Sequence, residues 1–214
     1  MRALIVVDIQ NDFLPGGALP VPGGDQVVPV INRLQPCFDL VVATKDWHPK
    51  DHGSFATRHP GRRPGERIEL YGLPQVLWPP HCVQGTAGAD FAPGLDTSRF
   101  AATFLKGIDP TVDSYSTFFD NAHRRSTGLA EFLAERGVDE VFLAGLATDY
   151  CVGASAEHAL ELGFRTNVVV DGCRGIELQP GDVQRTLDAL ERAGARLVRS
   201  DEICGRPPAG GAHP

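Results

Sequence analysis

The sequence of 214 residues lacks long apolar runs, and this absence limits the classes of protein it can represent. No uninterrupted apolar stretch approaches the roughly 20 residues that a membrane-spanning helix needs. Near the N-terminus only the run from Ala3 to Val7 precedes an aspartate, which is too short for the apolar region of a signal peptide. We therefore expect a cytoplasmic protein without a membrane partner.

Cysteines are few, and they form no recognisable pairing pattern. The five are Cys37, Cys82, Cys151, Cys173 and Cys204, an odd number with no C-x-x-C pair. This pattern favours free thiols in a reducing compartment over the disulfide framework of a secreted protein. The formal net charge of −7 argues against nucleic acid or an anionic membrane surface as the main partner.

Lysine is the scarcest form of positive charge in this chain. Of the 20 basic residues only Lys45, Lys50 and Lys106 are lysines, and the others are arginines. Lysine carries a compact charge whose pKa shifts readily on burial, whereas arginine has a broad planar head that stays protonated. A lysine at the end of an apolar strand, as in FLKG, therefore calls for a chemical explanation.

Short apolar runs alternate with helical patterns along the chain. The runs are unbroken, which is typical of strands covered on both faces in a parallel sheet. We predict a single α/β domain over residues 1–204, doubly wound, with a mostly parallel sheet and helices on both faces. The Pro- and Gly-rich residues 205–214 are expected to form a disordered tail. The predicted strands are 3–7, 40–44, 101–105, 140–145, 166–170 and 195–199, and the predicted helices are 25–37, 126–136, 148–162 and 182–193.

Three residues with complementary chemistry follow or end predicted strands. Asp8 follows the first strand, Lys106 ends FLKG, and Cys151 lies in the turn LATDYC after a strand. With Thr148 as N-cap, Cys151 would occupy the first turn of a helix, where the helix dipole favours a thiolate. Each residue alone has an ordinary structural interpretation: a turn aspartate, a lysine extending to solvent, a small buried cysteine. Together they predict an acid, a base and a nucleophile in one crevice.

A second group of polar residues follows the strand that ends at Thr44. The loop TKDWHPKDHGSF carries Asp46, His48 and His52, and the segment WPPHC adds His81. Carboxylate and imidazole groups are suitable ligands for a divalent metal ion. Loops also use such residues as turn formers, but three histidines with an aspartate favour the metal site.

Six segments, in this order, resemble the nicotinamidases, also called pyrazinamidases, of the isochorismatase-like hydrolase superfamily. The resemblance extends from about Arg2 to Ile203, and the Asp-Trp-His loop together with WPPHC narrows it from the superfamily to the nicotinamidases. The segments are VDIQNDF, TKDWHPKDHGSF, WPPHCVQGTAGADF, LKGIDPTVDSYSTFFDN, GLATDYCVGASAEHALELG and VVVDGCRGI.

The resemblance implies an activity: hydrolysis of nicotinamide, and of pyrazinamide, to the acid and ammonia through a cysteine thioester, in NAD salvage. It implies that Asp8 is the general base, Lys106 its charge partner and Cys151 the nucleophile. A small-molecule substrate is the implied partner, and the oligomeric state, including a homo-oligomer, stays open.

The resemblance also implies the residues that bind the cofactor and the substrate. One divalent metal ion, zinc or alternatively iron or manganese, would be bound by Asp46, His48 and His81, and His52 either coordinates it or lies beside it. A cis Leu146–Ala147 peptide would direct the Ala147 N–H, beside that of Cys151, into an oxyanion hole. Phe13 and Trp78 would enclose the pyridine ring.

Three other functions fit parts of this pattern. An isochorismatase or a ureido-type amidohydrolase shares the Asp, Lys and Cys but lacks the complete metal loop. A metallohydrolase that uses metal-bound water would leave Cys151 structural. A non-catalytic ligand-binding domain would have no reason to combine Asp8, Lys106 and Cys151.

Overall fold

The structure is a computed structural model that describes residues 1–204. The tail expected at 205–214 lies outside the described residues. Within them, no helix combines the length and apolar character needed to cross a bilayer.

Among residues 1–204, eight strands form a large sheet and a small hairpin. Six strands lie in one sheet in the order β5-β2-β1-β6-β7-β8, and every neighbouring pair is parallel. The hairpin pairs β3 and β4 antiparallel. The strands are β1 (Arg2–Val7), β2 (Leu40–Asp46), β3 (Arg67–Leu70), β4 (Leu73–Val76), β5 (Phe100–Lys106), β6 (Glu140–Leu146), β7 (Arg165–Arg174) and β8 (Arg196–Val198).

Helices cover both faces of the large sheet, as the unbroken apolar strands predict. Leu4 and Val6 of β1 pack in a core with one set of helices, and Ala3, Ile5 and Val7 pack on the opposite face with another. The first face carries α1 (Val27–Leu34) and α5 (Ser200–Cys204), and the second carries α2 (Leu129–Glu135), α3 (Gly153–Glu161) and α4 (Asp182–Ala193). The predicted doubly wound α/β fold is therefore confirmed.

The structure differs from the sequence prediction at the turn after β6. Residues 148–152 form a π-helical turn before α3, and Ala147, not Thr148, precedes it in an extended conformation. The N–H groups of Tyr150 and Val152 both donate to the Ala147 carbonyl, at 3.1 and 3.0 Å, which widens this turn beyond an α-helical one. The Leu146–Ala147 peptide bond is cis, as the resemblance implies.

The prediction of five free thiols is wrong for two of the cysteines. Cys37 and Cys204 form a disulfide, whereas Cys82, Cys151 and Cys173 are free. The packing of α5 beside α1 brings the paired Cα atoms to 5.7 Å, although 167 positions separate them in the sequence. Because the two cysteines are so far apart in the sequence, no local sequence pattern could have predicted that they pair. The β3–β4 hairpin and α5 were likewise not predicted.

A glycine at the end of β6 allows the two central strands to meet closely above the crevice. Gly145 has φ +143°, and a Cβ placed on it would overlap the carbonyl oxygen of Val7 in β1. Only a residue without a side chain fits this approach.

We expect Gly145→Ala to lower the free energy of unfolding by about 2–4 kcal/mol, because either the backbone or β1 must move. The control is Gly163→Ala, at φ +85° with open space around it, which isolates the cost of backbone conformation, about 1 kcal/mol. Denaturant titration of both variants measures the difference. Equal destabilisation would show that the close approach to Val7 is unimportant.

Candidate active site

The predicted catalytic residues meet at the carboxyl ends of neighbouring strands in one part of the sheet. Asp8 follows β1, Lys106 ends β5, and Cys151 follows β6 in the π-helical turn. Asp46 ends β2 directly opposite Lys106 in the strand register. The crevice lies where the strand order reverses between β1 and β6, the position at which open α/β sheets bind ligands.

Lys106 is the centre of this group, with only 2% of its surface exposed. Its Nζ lies 2.9 Å from Asp8 Oδ2 and 2.5 Å from Asp46 Oδ1. It also donates to the Cys151 sulfur at 3.3 Å and to the Ser114 carbonyl at 2.9 Å. Burial alone would lower the pKa of Lys106, but the Asp46 and Asp8 carboxylates outweigh it and raise the pKa well above its usual value. The ammonium is therefore charged at neutral pH.

Asp8 has the environment of a proton acceptor. It is fully buried, and the Thr44 hydroxyl donates to its Oδ1 at 2.6 Å. Oδ2 lies within ion-pair distance of the Lys106 ammonium. No donor among residues 1–204, however, forms a hydrogen bond to Oδ2 with acceptable geometry. Burial, with the nearby Asp46 charge, raises the pKa of Asp8 despite the attraction of Lys106.

The Cys151 thiol is protonated at rest, contrary to the expectation that its helix-start position favours a thiolate. Burial raises its pKa well above the usual value, although the Lys106 ammonium lowers it, and the Asp8 and Asp46 charges add to the increase. An Asp8 oxygen lies within 4.8 Å of the sulfur. The arrangement therefore allows the thiol proton to be transferred to Asp8 during a reaction.

The residues predicted as metal ligands surround one point beside Asp46. His48 Nε2 and His81 Nε2 lie 3.5 and 3.7 Å from Asp46 Oδ2. The Nδ1 atoms contact the carbonyls of Gly107 and Pro79, at 2.9 and 2.8 Å. An Nδ1–H bonded to a carbonyl leaves the Nε2 lone pair free, the usual outer-shell arrangement of a metal-binding histidine. The donor set therefore fits a divalent ion with three protein ligands and open positions.

His52 lies beside this set, but its ring is oriented differently. Its Nδ1 lies 2.7 Å from the Ser54 hydroxyl and 3.2 Å from the Ser54 backbone nitrogen, and its Nε2 has no hydrogen-bond partner among residues 1–204. Burial lowers the pKa of His52 and outweighs the nearby Asp113 carboxylate, so the ring is neutral. His52 falls outside the candidate ligand group of Asp46, His48 and His81, and groups instead with His48 and Asp113.

When Asp8 and Asp46 are both ionised, their two negative charges face the single positive charge of Lys106. A buried charge without compensation is costly, and a divalent cation at Asp46 would compensate it. This charge balance is a second reason why the residues fit a metal ion.

An aromatic cavity opens above Cys151 and Asp46. Phe13 and Trp78, the predicted ring-binding residues, both line it, as do Ala147 and Cys151 of the predicted oxyanion hole. Sequence reasoning missed several wall residues, which are Leu19, Asp113, Tyr115, Tyr150 and Ile176. Tyr150 adjoins Cys151 in the sequence and could have been identified from that position.

Gln10 is a further residue that sequence reasoning missed. Its side-chain amide exchanges two hydrogen bonds of 2.8 Å with the backbone N–H and C=O of Asp46, and it donates to the Ala89 carbonyl at 3.0 Å. It thereby fixes the backbone from which the Asp46 carboxylate projects. The spacing of two from Asp8, at the end of the same strand, was an available signal.

The fold and the site together define a doubly wound α/β protein whose crevice holds a cysteine, an aspartate and a lysine beside three candidate metal ligands. Residues 2–202 match the model of the Isochorismatase domain, and the chain belongs to the isochorismatase family. The family resemblance seen in the sequence is thereby confirmed.

Within the family, the chain is similar to three proteins that are named as nicotinamidases or pyrazinamidases. Over 200 residues the chain is 50% identical to the nicotinamidase of Escherichia coli (strain K12), covering 92% of this chain and 93% of the relative. It superimposes on an Acinetobacter baumannii nicotinamidase/pyrazinamidase with a TM-score of 0.92 and 44% identity, over 94% and 97% of the two chains. A Pyrococcus horikoshii pyrazinamidase in complex with zinc matches with a TM-score of 0.76 and 39% identity, over 92% and 98%.

We expect Asp46→Ala and His81→Ala to lose bound metal, because each would remove one of the three candidate ligands. His52→Ala should retain metal, since His52 lies outside the group formed by Asp46, His48 and His81. Metal content by mass spectrometry after dialysis against a weak chelator measures this difference. An emptied site in His52→Ala, with metal retained in His81→Ala, would mean that the wrong histidine has been chosen as the third ligand.

Proposed function

We propose that this protein hydrolyses the carboxamide of nicotinamide, and that of pyrazinamide, to the carboxylic acid and ammonia. The observation that carries the proposal is the buried Lys106 ammonium held against Asp8, Asp46 and Cys151 at the floor of an aromatic cavity. The names of the E. coli and A. baumannii relatives support the same reaction. Such an activity would serve NAD salvage in the cytoplasm.

The first half of the reaction forms a thioester. Asp8, whose pKa is raised by burial, accepts the Cys151 proton while Lys106 balances the charge. The sulfur then attacks the carboxamide carbon, and the Ala147 and Cys151 N–H groups stabilise the oxyanion. The carbon–nitrogen bond breaks as Asp8 returns the proton to the departing nitrogen, which leaves as ammonia.

The second half restores the free enzyme. Asp8, again ionised, removes a proton from the water that attacks the thioester carbonyl, and the same N–H groups stabilise the second oxyanion. The carbon–sulfur bond then breaks, nicotinate leaves, and Asp8 returns the proton to Cys151.

Substrate orientation depends on the cavity and on the metal ligands. Phe13 and Trp78 bind the ring between aromatic surfaces, and both are buried. Asp46, His48 and His81 would hold the divalent ion, with zinc favoured by the P. horikoshii complex and iron or manganese as alternatives. When bound, the ion would supply a Lewis acid that helps to orient the substrate.

We expect Cys151→Ala to reduce ammonia release from nicotinamide by roughly 10³-fold or more, because the covalent route is lost. Metal content should stay unchanged, since the sulfur lies outside the proposed ligand set. The matched control is Cys173→Ala, a buried free thiol outside the aromatic cavity. Near-normal turnover in Cys151→Ala would instead favour attack by metal-bound water.

We expect Lys106→Arg to lose most of the activity, although arginine is otherwise the preferred cation of this chain. The lysine head is enclosed by Asp8, Asp46, Cys151 and the Ser114 carbonyl, and the broad guanidinium cannot occupy the same space. The measurement is kcat for nicotinamide, with Lys45→Arg as the matched lysine control. Normal turnover in Lys106→Arg would show that any positive charge at this position is sufficient.

A further inference from the structure

A loop after β7 forms part of the cavity wall, and its position is not explained by the sheet alone. The loop 175–181 joins β7 to α4, and Ile176 within it lines the aromatic cavity together with Leu19 and Cys151. The side chain of Ile176 is only partly buried in the core. The loop therefore needs another anchor to keep Ile176 over the cavity.

One carboxylate provides this anchor. Asp149 lies two residues before Cys151 in the π-helical turn, and it accepts two consecutive backbone hydrogen bonds from the loop. The Ile176 N–H donates to Oδ1 at 2.9 Å, and the Glu177 N–H donates to Oδ2 at 2.7 Å. Hydrogen bonds to an ionised carboxylate are stronger than those between neutral groups.

The backbone on both sides of Ile176 is adapted to this contact. Glu177 has φ +54°, a left-handed conformation that is uncommon for a residue other than glycine. A Cβ on Gly175 would lie 2.9 Å from Asp149 Oδ1 and would overlap Val183 of α4. The loop thus passes closely between α4 and the Asp149 carboxylate, with both N–H groups directed at the carboxylate.

We propose that Asp149 is a positioning residue for substrate binding, which acts by holding Ile176 in the cavity wall. The inference rests on the proposed hydrolysis of nicotinamide. Asp149 does not line the cavity, and its carboxylate is occupied by the loop N–H groups, so it acts through Ile176 and not on the reacting atoms. Without the Asp149 carboxylate, Ile176 should move away from the cavity, which would weaken binding of the substrate ring. The reacting groups should stay in place.

A kinetic double-mutant cycle tests the pathway of this effect. We expect Asp149→Ala to raise KM for nicotinamide about tenfold with kcat changed by less than about threefold. In an Ile176→Ala background the same change should alter KM by less than about twofold, because the residue through which it acts is gone. Asp149→Asn, which keeps one acceptor oxygen, should be intermediate.

The control variant is Asp171→Asn, since Asp171 also accepts two hydrogen bonds, from the Ser200 N–H and hydroxyl, but outside the cavity. It should leave both kinetic constants unchanged. A large fall in kcat for Asp149→Ala in both backgrounds would overturn the proposal, because Asp149 would then act on the Cys151 turn directly.

Amide hydrogen exchange separates this proposal from the proposed function. The Ile176 and Glu177 amides should exchange faster in Asp149→Ala than in the wild-type protein or Asp171→Asn, whatever the substrate is. Unchanged exchange would overturn the role of Asp149. A wild-type protein that releases no ammonia from nicotinamide would refute the function, whereas the exchange result would still report on the loop.

Discussion

The active site depends on one interaction, the contact of a buried ammonium with two carboxylates and a thiol. Lys106 Nζ meets Asp8 and Asp46 within 2.9 Å and Cys151 at 3.3 Å. Without this charge, two buried carboxylates would face each other with no cation from the protein between them, an unfavourable arrangement. The parallel sheet makes the contact possible, because it brings the ends of β1, β2 and β5 to one edge.

The two carboxylates beside Lys106 differ in pKa, and this difference separates their proposed roles. Lys106 and His48 overcome the effect of burial and lower the pKa of Asp46 well below its usual value, so it stays ionised. Burial raises the pKa of Asp8, which makes it the better proton acceptor. Paired titratable groups with divergent pKa values are typical of acid–base sites. Lys106 thus contacts both the proposed metal ligand, Asp46, and the proposed base, Asp8.

Sequence reasoning predicted the sheet, its parallel strands and the location of the site, because unbroken apolar strands that end in polar residues leave few alternatives. It could not predict contacts that depend on tertiary packing. The Cys37–Cys204 disulfide joins segments that are distant in the sequence, and so do the hydrogen bonds between the Gln10 side chain and the Asp46 backbone. The protonated Cys151 thiol was missed for another reason: its pKa depends on burial, which overrides the effect of the helix start.

The most direct test of this account is the pH dependence of Cys151 alkylation by iodoacetamide in the wild-type protein and in Lys106→Met. The labelled peptide identifies Cys151 among the free thiols by mass spectrometry. Since Lys106 attracts the thiolate, its removal should shift the Cys151 profile to higher pH. An unchanged profile would contradict the account, because the ammonium would then have no influence on the thiol beside it.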